Sequence, residues 1–201
     1  MPWHRTRNLL LGLVSLLCLG FAGWVGYSLL VHPERFSAAI GGPFTLTDTR
    51  GASVSDESFR GRFMLIYFGY TYCPDVCPTR LQEMTVALEA LEASRPQVAA
   101  KITPIFITVD PRRDTRQALG AYVEHFHPRL EGLRGSEAEV AVLIQSYQGY
   151  VNYVPNEDGS DYVVDHTAYI YLMDPEGRYA THFTAFDDIE EIAARLARLA
   201  G

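Results

Sequence analysis

Six consecutive apolar side chains, Phe63-Met64-Leu65-Ile66-Tyr67-Phe68, run between Arg62 and Gly69. A strand with one wet face alternates apolar and polar residues, so this run predicts a central strand covered on both faces. Ile102 to Val109 reads as a second buried strand, ending at Asp110-Pro111. Between them Leu81, Met84, Leu88 and Leu91 recur at helical spacing and predict a helix over Thr79 to Ser94. A further helix is expected over Thr115 to Phe126, with Asp114 as N-cap and Pro128 beyond its end. Another is expected over Ser136 to Tyr147, opened by the capping-box pair Ser136 and Glu139.

The flanks read as hairpins. Phe44 to Thr47 alternates before the turn Asp48-Thr49-Arg50-Gly51. Ala168 to Met173 and Arg178 to Phe183 are strands joined by Asp174-Pro175-Glu176-Gly177, and Asp187 to Leu199 is an amphipathic closing helix. Residues 148–165 are rich in tyrosine and broken by Pro155, Asn156, Asp158 and Gly159, which predicts a hairpin or flap. A strand-helix-strand unit followed by an antiparallel pair indicates an α/β sandwich with a mixed central sheet, the thioredoxin-like layout. A chain of 201 residues fits one such domain plus an accessory segment. Its formal charge of −7 argues against a nucleic-acid partner, which would need a basic face.

The accessory segment is N-terminal. From Leu9 to Val31 there is no charged residue, and Arg5 and Arg7 precede the run. As a helix it would reach about 35 Å, enough for a hydrocarbon core of about 30 Å. The positive-inside rule then keeps residues 1–8 in the cytoplasm, makes 9–31 a single-pass signal anchor and places residues 33–201 outside, with 32–40 as a linker and 41–201 as the domain. Two other readings stand beside the anchor. Cleavage near Ser37-Ala38-Ala39 would make it a signal peptide, although the run is longer than the usual apolar core of about 7–15 residues. Lipidation of Cys18 is weakened by the bulky Leu16 and Leu17 before it, and Cys18 is read as an apolar filler.

The informative segment is Cys73-Pro74-Asp75-Val76-Cys77-Pro78, between a buried strand and a helix. Backbone N–H groups and the helix dipole lower thiolate pKa at such a junction. At i and i+4 on one helical turn the two Cα atoms would lie roughly 6 Å apart, within reach of a disulfide or of one shared metal ion. A purely stabilising disulfide would close a tiny loop and constrain the unfolded chain little. Redox catalysis or metal binding remains. Thioredoxin-type redox loops have two residues between the cysteines and a proline before the facing strand. Here three residues intervene, and Val164-Asp165-His166-Thr167 brings a histidine to that place. Two thiolates and one imidazole suit a soft, low-coordinate ion, Cu(I) best of all, whereas zinc normally takes a fourth ligand.

These residues resemble the Sco/SenC family of membrane-anchored copper proteins with a thioredoxin-like fold. The resemblance covers residues 41–199 and rests on Gly42-Pro43-Phe44, Tyr67-Phe68-Gly69-Tyr70-Thr71, Cys73 to Pro78, Thr108-Val109-Asp110-Pro111, Arg113-Asp114-Thr115 and Val164 to Thr167. It implies that Cys73, Cys77 and His166 are ligands for copper, as Cu(I) or Cu(II). Asp165 corresponds to an acidic residue linked to copper handling in the family. Asp75 is read as orienting a partner, tuning the thiolates, or simply stabilising the helix start. The implied role is a metallochaperone for the copper centre of cytochrome c oxidase, with oxidase subunit II as client and a periplasmic copper donor protein upstream. The alternative is a thiol–disulfide oxidoreductase acting on subunit II or on a copper carrier through a Cys73–Cys77 redox pair. A third reading, thiol peroxidase, is the weakest. The expected location is a bacterial inner membrane with the functional domain in the periplasm. Tyr72 departs from the family, many members of which carry histidine there. His125 and His127, two apart, point away from each other on a helix and are read as surface residues, and His182 as a strand-face residue.

Overall fold

The computed structural model of the chain describes residues 15–24, 26–27 and 40–201. The chain divides into two compact units, Met1–Ala39 and Ile40–Gly201. In the first, the described residues 15–24 and 26–27 are helical. The remainder of the expected anchor, and the linker up to residue 39, lie outside the described residues. Among those described, no helix is long and apolar enough to cross a membrane.

The second unit is built on a seven-stranded mixed sheet. Its strands are β1 (Thr45–Asp48), β2 (Ser53–Ser55), β3 (Phe63–Gly69), β4 (Ile102–Thr108), β5 (Glu131–Arg134), β8 (Ile170–Met173) and β9 (Tyr179–Phe183), and β6 (Val151–Pro155) and β7 (Tyr162–His166) form a separate hairpin. The spatial order is β2-β1-β5-β4-β3-β8-β9. The central strands β3 and β4 are parallel and buried at every position, as the unbroken apolar run of β3 and the predominance of Ile and Phe in β4 lead one to expect. The helices are α1 (Val76–Ser94), α2 (Pro96–Ala99), α3 (Arg116–Val123), α4 (Glu137–Ser146) and α5 (Ile189–Leu199). From α1, Leu81, Met84, Leu88 and Leu91 enter the core, as their spacing predicts.

Four features depart from the sequence reading. The helix expected from Thr79 starts at Val76, so it takes in Cys77 but leaves Cys73 in the preceding turn. Strand β5 was not expected: four residues, Glu-Gly-Leu-Arg, carry too little pattern to be recognised alone. It joins β4 in parallel and β1 antiparallel, tying the N-terminal hairpin to the sheet. His127 is not a surface residue but is buried, with Nδ1 accepting from the Arg129 N–H and Nε2 3.3 Å from Glu92. Finally, α3 is capped by Thr115, whose side chain accepts from the Ala118 N–H.

Asp114, freed from capping, is fully buried and accepts three hydrogen bonds: from the Thr71 N–H at 3.0 Å, the Thr71 hydroxyl at 2.6 Å and the Thr108 hydroxyl at 2.5 Å. It thereby pins the loop after β3 to the end of β4. Replacing it strands buried donors, at about 1–3 kcal/mol for each unsatisfied group. We expect Asp114→Ala to destabilise the domain by about 2–4 kcal/mol, a fall of roughly 5–15 °C in melting temperature. Thermal denaturation followed by circular dichroism measures this, and a loss below about 1 kcal/mol would mean that the carboxylate does not hold the loop.

Candidate metal centre

The site forms where β3 ends. Gly69 is its last residue, and a β-carbon there would stand 2.7 Å from the Phe106 ring and 3.1 Å from the Cys77 sulfur. Only glycine therefore leaves room for that sulfur beneath the strand end. The chain then turns through Tyr70 to Cys73, whose N–H donates to the Tyr70 carbonyl at 3.3 Å, and enters α1. Cys77, in the first turn of the helix, is completely buried, while Cys73 is partly exposed. Both are free thiols.

The two sulfurs have opposite electrostatic environments. The Cys77 N–H, one of the unpaired amides of a helix start, donates to Cys73 Sγ at 3.3 Å. Hydrogen bonding to the Cys77 side chain, to the His166 ring and to the backbone of Cys77 and Asp75 outweighs burial and brings the Cys73 thiol down to about 4. The hydrogen-bonded Cys73 beside it, together with burial, drives the Cys77 thiol far above its ordinary range. The pair therefore holds one partly exposed thiolate and one buried proton.

His166 ends β7 and meets the cysteines from the other side. Its Nε2 is 3.5 Å from Cys77 Sγ, and its Nδ1 is 3.0 Å from the Thr167 carbonyl oxygen. A carbonyl only accepts, so Nδ1 carries a hydrogen; Nε2 donates to the Cys73 thiolate when the ring is protonated and offers a lone pair when it is neutral. The edges of Tyr67 and Tyr70 flank the imidazole, with centroids 6.3 and 5.8 Å away. Among the described residues no three His, Cys, Asp or Glu side chains stand preassembled around a metal position. What the fold brings together is the Cys77–His166 pair with Cys73 alongside.

The two carboxylates singled out in the sequence lie outside this cluster. Strand alternation turns Tyr162, Val164 and His166 toward the domain and Val163 and Asp165 toward solvent. Asp165 instead accepts from the Tyr150 hydroxyl at 3.0 Å. Asp75 is exposed at the N-cap of α1, where its side chain makes no capping bond. His125 and His182 also lie elsewhere, and His182 stacks on Tyr169.

The sequence reads the tyrosines between Tyr147 and Tyr162 as packing of a long loop, and assigns no partners to the hydroxyls that hold the β6–β7 hairpin. The Tyr153 hydroxyl donates to the Val109 carbonyl at 2.7 Å, and the Tyr162 hydroxyl to Asp110 at 2.8 Å. Arg113 donates to the Tyr162 carbonyl at 2.9 Å. The available signal was the density of charge in Asp110 to Asp114 directly after a buried strand, where an unpaired carboxylate would be costly.

The thiol asymmetry gives a pH prediction. A thiol of ordinary pKa near 8.5 loses about 80-fold in alkylation rate between pH 8 and pH 6, because its thiolate is protonated. With its pKa lowered to about 4, Cys73 stays ionised across that range. In the reduced, metal-free protein its iodoacetamide rate is expected to change less than about threefold, with Cys77 unreactive. Peptide mass mapping measures both rates, and a fall tracking an ordinary thiol would refute the assignment.

A family model described as SCO1/SenC matches residues 32–201. The mitochondrial protein SCO2 homolog of Homo sapiens is 39% identical over 209 residues, covering 98% of this chain and 76% of the human protein. The structure of Bradyrhizobium japonicum ScoI with copper bound is 50% identical with a TM-score of 0.71, covering 80% of this chain and 99% of that one. Arabidopsis thaliana ScoI with copper bound is 37% identical with a TM-score of 0.74, covering 80% of this chain and 97% of its own. The family match spans the whole sheet-and-helix unit together with both halves of the cysteine–histidine cluster, and on it the chain belongs to the SCO1/SenC family.

Proposed function

We propose that this protein is a copper metallochaperone that carries Cu(I) on Cys73, Cys77 and His166 and serves the copper centre of cytochrome c oxidase. The observation that carries the reading is the presentation of His166 Nε2 to Cys77 Sγ at 3.5 Å with Nδ1 tied to a carbonyl. With metal–donor bonds of about 2.0–2.3 Å, donors around a three-coordinate ion stand about 3.5–4 Å apart. Ligation then requires Cys77 to release its proton. Copper is cargo here. Two thiolates and an imidazole retain a soft ion, and an incoming thiolate displaces one donor at a time, so the metal passes on without being freed.

The copper-bound structures of two relatives support the choice of metal. Oxidase subunit II as recipient and a periplasmic copper protein as donor follow from the family resemblance of the motifs. The uncharged run Leu9–Val31 supports a membrane tether, with the domain on the periplasmic side of a bacterial inner membrane.

One observation favours a second reading, thiol–disulfide exchange. A partly exposed thiolate beside a buried thiol suits attack followed by resolution. Cys73 S⁻ would attack a client disulfide and release one client thiolate. Cys77, after giving up its proton, would attack the mixed disulfide, expelling the second client thiolate and leaving Cys73–Cys77 oxidised. The client gains two electrons and the pair loses them. The same oxidation removes both thiolate ligands, so copper carriage and reduction exclude one another on a single molecule.

The two readings separate at His166. Reduced protein is expected to bind one copper with a sulfur-rich shell containing one nitrogen, read by K-edge absorption and metal analysis. We expect His166→Ala to lose the nitrogen and about 100-fold or more in Cu(I) affinity, and Cys73→Ser with Cys77→Ser to lose tight binding altogether. Stoichiometric copper in the double-serine variant would refute the chaperone reading. Full oxidase assembly with His166→Ala would favour the reductase.

A further inference from the structure

Both arms of the candidate centre are fastened to one short segment, Val109–Asp114, that follows β4. Asp114 holds the cysteine loop through Thr71. The other anchor is Arg113, whose side chain is only 16% exposed. Its Nε donates to the fully buried Asp110 carboxylate at 2.5 Å, and one terminal nitrogen donates to Asp161 and to the Tyr162 carbonyl, each at 2.9 Å. The faces of its guanidinium are also occupied. The guanidinium carbon lies 3.9 Å from the Tyr162 ring centroid, 5.1 Å from Tyr72 and 5.7 Å from Tyr70. Tyr70 and Tyr72 belong to the turn that carries Cys73, and Asp161 and Tyr162 belong to the hairpin that carries His166. A planar cation with a fork of donors spans the two; an ammonium group has neither the fork nor the stacking faces.

We propose that Arg113 is a positioning residue: it clamps the β6–β7 hairpin to the cysteine turn and so sets the separation between the His166 imidazole and the cysteine sulfurs. The consequence for copper rests on the chaperone reading above, while the clamp itself does not. His166 lies at the end of a two-stranded hairpin outside the main sheet. Such a hairpin is marginal by itself and depends on what it is docked against. With the clamp intact, the third donor is held ready. With it loosened, the cysteines keep their places on α1 and the turn, and the histidine is lost from the set.

The test uses Arg113→Lys, which keeps the charge that the buried Asp110 needs, and Tyr162→Phe, which removes one hydroxyl bond, as the milder variant. In reduced, metal-free protein, amide exchange over Val151–Pro155 and Tyr162–His166 is expected to quicken at least tenfold in Arg113→Lys and less in Tyr162→Phe, with β3 unchanged. Cu(I) competition with a chromophoric chelator is expected to show a loss above tenfold in Arg113→Lys, shrinking below about twofold when His166 is already alanine. Unchanged hairpin exchange in both variants would overturn the clamp. An affinity loss of the same size in the His166→Ala background would also overturn it, because Arg113 would then act on the cysteines. If wild-type protein binds no copper, the chaperone reading fails, and the metal-free exchange still decides whether Arg113 is the clamp.

Discussion

β3 and β4 pair in parallel along their full length, from Phe63 opposite Ile102 to Gly69 opposite Thr108, and both are sealed from water. Parallel pairing puts their carboxyl ends at the same sheet edge, and every element of the candidate centre leaves from that edge. After Gly69 come the cysteine turn and α1; after Thr108 comes the segment that anchors both arms. The register thus brings Thr71 within reach of Asp114, and the three hydrogen bonds onto that carboxylate make one rigid platform of two loops. Binding residues at the carboxyl ends of parallel strands are a general outcome of such sheets, because the helices covering the faces leave only the ends open.

On that platform the two thiols are made unlike by position alone. Cys77 is the one in the helix, so it is buried against the strand end; Cys73 precedes the helix and meets its free N–H groups. The hydrogen bond between the two side chains, with burial, holds a proton on the first, and the same bond, with the His166 ring and amide donors, ionises the second. In the proposed carrier a soft cation would resolve the asymmetry by displacing the proton, and in the proposed reductase a client disulfide would resolve it by oxidation. One geometry is therefore compatible with both proposals, and His166 is the group that only the first would require.

The hairpin bearing His166 differs from the rest in how it is held. Main-chain pairing secures the sheet, whereas the hairpin is docked by side chains: the Tyr153 and Tyr162 hydroxyls and the Arg113 fork. Such contacts lie at the less stable end of a protein's range and open more readily than a central strand. Under the proposed copper carriage, a histidine mounted there would be placed to leave during transfer while the thiolates stay.

Much of this was legible in the chain because it is local. An unbroken apolar run predicts a doubly covered strand, a 3.6-residue period predicts α1, and cysteines at a strand-to-helix junction predict perturbed thiols, each from a few neighbouring residues. The histidine was legible as well, since it stands just before the strand facing the cysteines. Strand β5 was hidden because four residues carry no period of their own and pair only once β1 and β4 exist. Asp114 looked like a helix cap, the best use for an aspartate in isolation, until the parallel register supplied Thr71 and Thr108 as stronger partners. His127 looked superficial from its helix spacing, yet the loop beyond the helix folds it inward beside Glu92. Sequence alone determined which residues are candidates for the chemistry and the kind of sheet that holds them. Tertiary structure decided which carboxylate builds the platform, that Asp165 faces away, and that Arg113 joins the two arms, because each depends on groups far apart in the chain meeting at one sheet edge.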